Sequence, residues 1–253
     1  MNSTKNTEWI TEISPRNAAK IAGFGYLIVF ILGFFGNFFV FEKLIVPEDA
    51  VTTANNIIAN ESLFRLGIAS WLIVITFDAL VAWALYVLLK PINKNLSLLA
   101  AWFRLVFVGI FGYSFVNYFS VLQLFSGADY LKVFETNQLQ TQAMLLLNAH
   151  DYAVHISYIF FGLHIFLLGY LILKSGYIPP ILGILLIVAS CGYLIDSFGN
   201  FLSSDYANNK TAFLIFVAVP AIISELSLTI WLLFKGGKGS TNFNMNAADR
   251  QDN

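Results

Sequence analysis

Six apolar runs punctuate the chain, at about residues 19–41, 63–89, 98–125, 148–173, 178–200 and 211–234, each bounded by polar or charged residues. A bilayer hydrocarbon core of about 30 Å takes about 20 residues of helix to cross, so every run predicts one membrane span. Backbone groups inside lipid must bond within their own segment, which makes a helix the only conformation open to such a run. The expected fold class is therefore all-α, an integral membrane bundle of six transmembrane helices over residues 18–235. Residues 1–17 form a polar tail, and 236–253, rich in Gly and Asn, are expected to be a disordered one.

Proline and glycine mark where the spans begin and end. Ser14-Pro15 suits a helix start, Lys90-Pro91 a stop, and Pro179-Pro180 the first turn after the short link that follows Lys174. Pro220 falls inside the last run, where it removes one backbone bond and should bend the helix. In the loop after the first span, Ala50, Ala54, Ile57 and Ile58 recur near helical spacing. That segment reads either as a helix on the membrane surface or as a loop helix packed on the bundle. The stretch QLQTQAMLLLN before residue 148 reads as a helical extension of the fourth span. Gly25-Tyr-Leu-Ile is echoed by Gly192-Tyr-Leu-Ile, but on spans 1 and 5, where a three-plus-three repeat would pair 1 with 4; the echo is set aside as chance.

Composition agrees with the pattern: 58% of residues are hydrophobic, 11% are charged, and the mean hydropathy is +0.72. Soluble chains carry about twice that charge. A net charge of −1 supplies no field for nucleic acid, and the expected partner is the lipid bilayer, with room for a homo-oligomer and a small-molecule substrate that the sequence does not name. The lone cysteine, Cys191, excludes a disulfide framework and a cysteine zinc cluster. Lysine and arginine fall nine to one side (Lys5, Arg16, Lys20, Lys90, Lys94, Lys174, Lys235, Lys238, Arg250) and four to the other (Lys43, Arg65, Lys132, Lys210). The positive-inside rule then predicts a protein of the cell inner (plasma) membrane with both termini cytoplasmic.

Ionisable groups within a span are costly and mark function by default. Counted from the basic ends of the spans, Arg104 lies roughly 9 Å deep, His164 and Glu225 roughly 13 Å, and Asp78 roughly 16 Å. These four make one polar belt across four spans. Arg104 is always charged, so pairing with Asp78, Glu225 or both is expected; the belt reads as a lock between helices or as a proton, ion or substrate-charge site. Toward the other side lie His150, Asp151 and His155 on span 4 and Asp196 near the end of span 5. Asp151 and His155, one turn apart, are expected to hydrogen-bond through their side chains. The same four residues are the candidate metal ligands. No cofactor is expected: His150 and His164 match a haem-like spacing, but no facing histidines exist on another span unless a dimer supplies them. Nucleophile elbows, phosphate-binding loops, dinucleotide glycine patterns and HExxH are absent, so no catalytic residue is assigned.

The pieces LYVLLKPINKNLSLLAAWFRL (85–105) and YIFFGLHIFLLGYLILKSGYIPPILGILLIVASCGYLIDSF (158–198) resemble Domain of Unknown Function 4386, a family of bacterial multi-pass membrane proteins. FFGLH, LGYL and KSGYIP are the most specific pieces. The resemblance implies a six-pass helical fold over about residues 18–234 and brings no substrate, cofactor or catalytic residue. The first functional reading is a membrane protein without enzyme chemistry, acting as a sensor, partner-binding or membrane-structural protein. A small-solute or proton-coupled transporter built on Asp78, Arg104 and Glu225 is the second, and a membrane-embedded metalloenzyme the third.

Overall fold

A computed structural model describes residues 13–203 and 205–236, with the side chains of Ala207 and Lys210 outside the description. Of the two tails, residues 1–12 and 237–253 lie outside the described residues, and with them Lys5, Lys238 and Arg250 of the charge count.

Helix α1, Pro15–Phe34, starts where Ser14 accepts a hydrogen bond from the Asn17 amide and Pro15 occupies the first turn. It runs without a break into a π-helical stretch, Phe35–Phe41, and a last turn, α2, Glu42–Leu44. After α3, Ala50–Ala59, come α4, Glu61–Leu89, and α5, Lys94–Leu124. Then follow α6, Thr136–Ser175, α7, Pro180–Leu202, and α8, Tyr206–Phe234. Six of these helices, counting Pro15–Leu44 as one and the last from Thr211, are long and apolar enough to cross a membrane. Among the described residues there is no strand, and the molecule is a six-helix, multi-pass membrane bundle.

The spanning helices form a ring in which each packs on its neighbours in sequence and α8 returns to α1. Short links force antiparallel neighbours. The α6–α7 link is closed by Gly176 at φ +70°, a left-handed conformation that costs glycine nothing, and α7 restarts at Pro180. The ring thus has a terminal face, with the start of α1 and the end of α8, and a loop face carrying α3. Its outer surface is bare hydrocarbon, with Phe24, Leu66, Trp102, Phe166, Ile184 and Ile230 all exposed. In water so large an apolar surface would aggregate; against lipid tails it is solvated.

Helix α3 settles its two readings in favour of the bundle: Thr53, Ala54 and Ile57 are buried, and it packs on the N-terminal part of α6. The 40-residue length of α6 comes from that extension, which leaves the apolar run and carries α3. Small residues set the closest helix approaches. Gly169 and Gly183 stand face to face between α6 and α7, where a Cβ on either would lie 2.7 Å from the other's carbonyl oxygen. At the terminal face α1 and α8 close together through Gly23, where a Cβ would meet Leu233 at 2.9 Å. Toward the loop face the same two helices diverge, and the space between them is the main cavity of the bundle.

A packed arginine node and an acidic cavity

The four residues of the predicted belt divide into two environments. Arg104, 1% exposed, forms a salt bridge through one terminal nitrogen with Asp78 of α4, itself 4% exposed. Its other terminal nitrogen donates to the Tyr26 hydroxyl of α1 at 2.7 Å and to His164 Nε2 of α6 at 3.1 Å. Arginine has no acceptor, so His164 Nε2 must be the accepting nitrogen. The ring proton then sits on Nδ1 and is donated to the Ala100 carbonyl at 2.8 Å. One tautomer is thereby selected, the neutral one. The guanidinium carbon lies 4.8 Å from the Tyr26 ring centre and 5.5 Å from that of Phe161, within cation–π range. Arg104 Nε alone has no partner. Four helices, α1, α4, α5 and α6, are tied at this one guanidinium, and the four side chains that meet there are almost fully buried. Of the two partners expected for Arg104, the structure selects Asp78.

Glu225 is elsewhere. It comes from α8, half-buried, at the floor of a cavity of about 600 Å³ that lies between the α1–π segment, α6, α7 and α8. Its carboxylate accepts from the Tyr193 hydroxyl at 3.2 Å. Arg104 acts on it through space without a bonded contact. From Glu225 to Tyr206 at the loop face is 19 residues of α8, roughly 28 Å of helix, and both of these residues line the cavity, with five α8 residues from Leu214 to Ile222 between them.

The second predicted cluster lines the upper part of the same cavity: His150, Asp151, His155 and Asp196 are all on its wall. The expected side-chain bond from Asp151 to His155 does not form. His155 Nδ1 instead donates 2.8 Å to the backbone carbonyl of Asp151, because an imidazole at i+4 reaches the carbonyl of its own helix before it reaches the carboxylate. Its Nε2 faces another helix, 3.2 Å from the Tyr206 hydroxyl and 3.5 Å from Asp196 Oδ2. Tyr206 in turn donates to Asp196 Oδ1 at 2.8 Å. His150 turns away from this trio and stacks on Tyr118, ring centres 4.0 Å apart, beside Phe115 at 4.9 Å. The four metal candidates therefore do not converge, and no group of three or more ligating residues able to hold a metal ion occurs among the described residues. His155 and Asp196 are brought together; His150 is not.

Sequence reasoning missed the tyrosines. Tyr26 satisfies Arg104, Tyr193 satisfies Glu225 and Tyr206 satisfies Asp196. A signal for two of them was present in the echo set aside as chance, because Tyr26 and Tyr193 are its second letters. In both copies the glycine lets a neighbouring helix come close: a Cβ at Gly25 would meet Val81 at 2.5 Å, and one at Gly192 the Phe216 carbonyl at 3.2 Å. A buried phenol needs a partner for its hydroxyl, so a glycine–tyrosine pair within a span points to a polar group on the adjoining helix.

Residues 21–236 match the family model described as Domain of unknown function (DUF4386), and the chain belongs to that family. An "Uncharacterized protein" of Archaeoglobus fulgidus is 34% identical over 166 residues, 66% of this chain and 81% of the relative. That relative is archaeal, whereas the resemblance led to the expectation of a bacterial membrane. No solved structure matches the chain.

Proposed function

We propose that the protein binds a small solute in the cavity between α1 and α8 and moves it across the cytoplasmic membrane, both termini lying in the cytoplasm and the cavity opening to the outside. The observation that carries this reading is the cavity itself. At about 600 Å³ it falls within the range of small-molecule sites, roughly 300–1,000 Å³, and it joins an intramembrane carboxylate, Glu225, to the loop face. A purely structural belt would be packed solid, as the Arg104 node is.

Two irregular elements flank the cavity and favour transport over static binding. The π-helical stretch Phe35–Phe41 forms part of one wall, and α8 carries Pro220 within the other. Both interrupt the regular backbone ladder where helices bend. The terminal half between the same helices is sealed at Gly23 and Leu233, the seal that inward opening would have to part.

The test is thiol accessibility. With the native Cys191 replaced by serine, Ala218→Cys places one thiol on the cavity wall. A water-soluble, membrane-impermeant thiosulfonate should modify it in sealed cells, and a cysteine at the lipid-facing position Ile230 should stay unreactive. Equal silence at both positions would remove the water-filled path and the reading with it.

A further inference from the structure

Carboxylates dominate the ionisable groups of the cavity wall, beside two histidines, His150 and His155. Glu42, Asp151, Asp196 and Glu225 line it, and among its described lining residues there is neither lysine nor arginine. Toward the mouth the carboxylates are engaged, Glu42 with the Asn37 side-chain amide at 3.1 Å and Asp196 with Tyr206, and Asp151 is not free either. The floor is different. Arg104 is bonded to Asp78 and reaches Glu225 only through space, and His164, held as the neutral tautomer, adds no charge. Glu225 is left with one neutral donor, Tyr193, and no bonded cation. A carboxylate in a low-dielectric setting without a bonded counter-charge is costly, and a cationic group brought to it would relieve that cost.

The remaining wall is aromatic. Eleven of the 27 lining residues are Phe, Tyr or Trp, against 16% in the chain as a whole. Ring faces attract cations and pack flat apolar bodies, so this wall suits a solute having both. His150 adds an independent pointer. It is 8% exposed, and its Nδ1 has no hydrogen-bond partner.

We infer that the solute is a protonated organic amine with an aromatic or other flat apolar body, its ammonium drawn to Glu225 and its body held by the rings. The inference rests on the solute-site reading above and names the class of solute for that site. An organic anion would meet four carboxylates and, among the described lining residues, neither lysine nor arginine. A bare metal ion would leave the rings idle and would find no group of three ligating residues among those described.

The experiment is equilibrium dialysis of the purified full chain in detergent, corrected for empty micelles, with three probes that share one ring system and differ in charge. These are 1-naphthylmethylamine, 1-naphthalenemethanol and 1-naphthoate at neutral pH. The amine should bind about tenfold or more tighter than the alcohol, with the carboxylate weakest, as expected of an ion attraction in a partly dry site. Glu225→Gln should abolish the preference for amine over alcohol while leaving the alcohol's affinity in place. Amine and alcohol binding alike, or the carboxylate binding best, would overturn the cation class and leave the site standing. No binding of any probe, with Ala218→Cys still labelled, would do the same. An unlabelled Ala218→Cys would instead remove the underlying site. If Glu225→Gln fails to fold, the charge series on the native chain decides.

Discussion

The Asp78→Asn substitution isolates the arginine node from the cavity. It keeps the shape and an acceptor oxygen for Arg104 but removes the charge, and both partners are almost fully buried, at 1% and 4% exposure. Breaking a buried ion pair from one side costs about 3–5 kcal/mol, because the remaining charge has no counter-ion. An isolated arginine at mid-span is put at about 2.5–3.5 kcal/mol even on lenient insertion scales. Glu225 lies within electrostatic reach of Arg104 and would offset part of the loss, so about 3 kcal/mol is the working figure. At about 2–4 °C per kcal/mol for a chain of this size, the midpoint of thermal unfolding in detergent should fall by about 6–12 °C. Glu225→Gln, which removes a charge that has no bonded cation, should stay within about 2 °C. Removing both members of the pair together, Asp78→Leu with Arg104→Met, should recover much of the loss, since apolar replacement of a buried pair is often near neutral. Size-exclusion chromatography of heated detergent samples reads all four proteins. A midpoint unmoved by Asp78→Asn, or a larger fall for Glu225→Gln, would refute the division into packed node and free carboxylate.

Gly183→Ala should destabilise by about 1–3 kcal/mol through overpacking, because its Cβ would meet the Gly169 carbonyl at 2.7 Å. Gly109→Ala, with nothing within 4 Å, should be neutral or slightly stabilising by helix propensity; the two thermal midpoints compare them directly. At the loop face, hydrogen bonds from Thr52 hold the Asp49 carboxyl below its usual range. A folded value below the unfolded one contributes stability above the ordinary carboxylate range and loses it as pH falls through the folded value. Hydrogen exchange in α3 should therefore be independent of Asp49 from neutral pH to about 5 and accelerate below about 4, and Asp49→Ala should remove that acid step. Reporter fusions at Lys94 and at the C-terminus should both report the cytoplasm; an external signal from either would reverse the orientation proposed for the cavity.

Six spans and the all-helical class were legible in the sequence because lipid leaves the backbone no alternative. An apolar run of sufficient length, stopped by Lys90-Pro91 or restarted at Pro180, specifies a helix from local chemistry alone. The sequence also singled out the ionisable groups within the spans, since each is costly there. What it could not do was sort them. Asp78 and Glu225 differ little in letter or depth, yet one neutralises Arg104 and the other faces an open space. That difference arises from which helices touch, and glycines at Gly23, Gly25 and Gly192 set those contacts through distances that no periodicity records. Likewise His155 finds Asp196 and Tyr206, respectively 41 and 51 residues away, only once α7 and α8 stand beside α6. The cavity itself, which unites the two clusters, exists because α1 and α8 meet at one end and part at the other. That is a property of the closed ring and of no single helix within it.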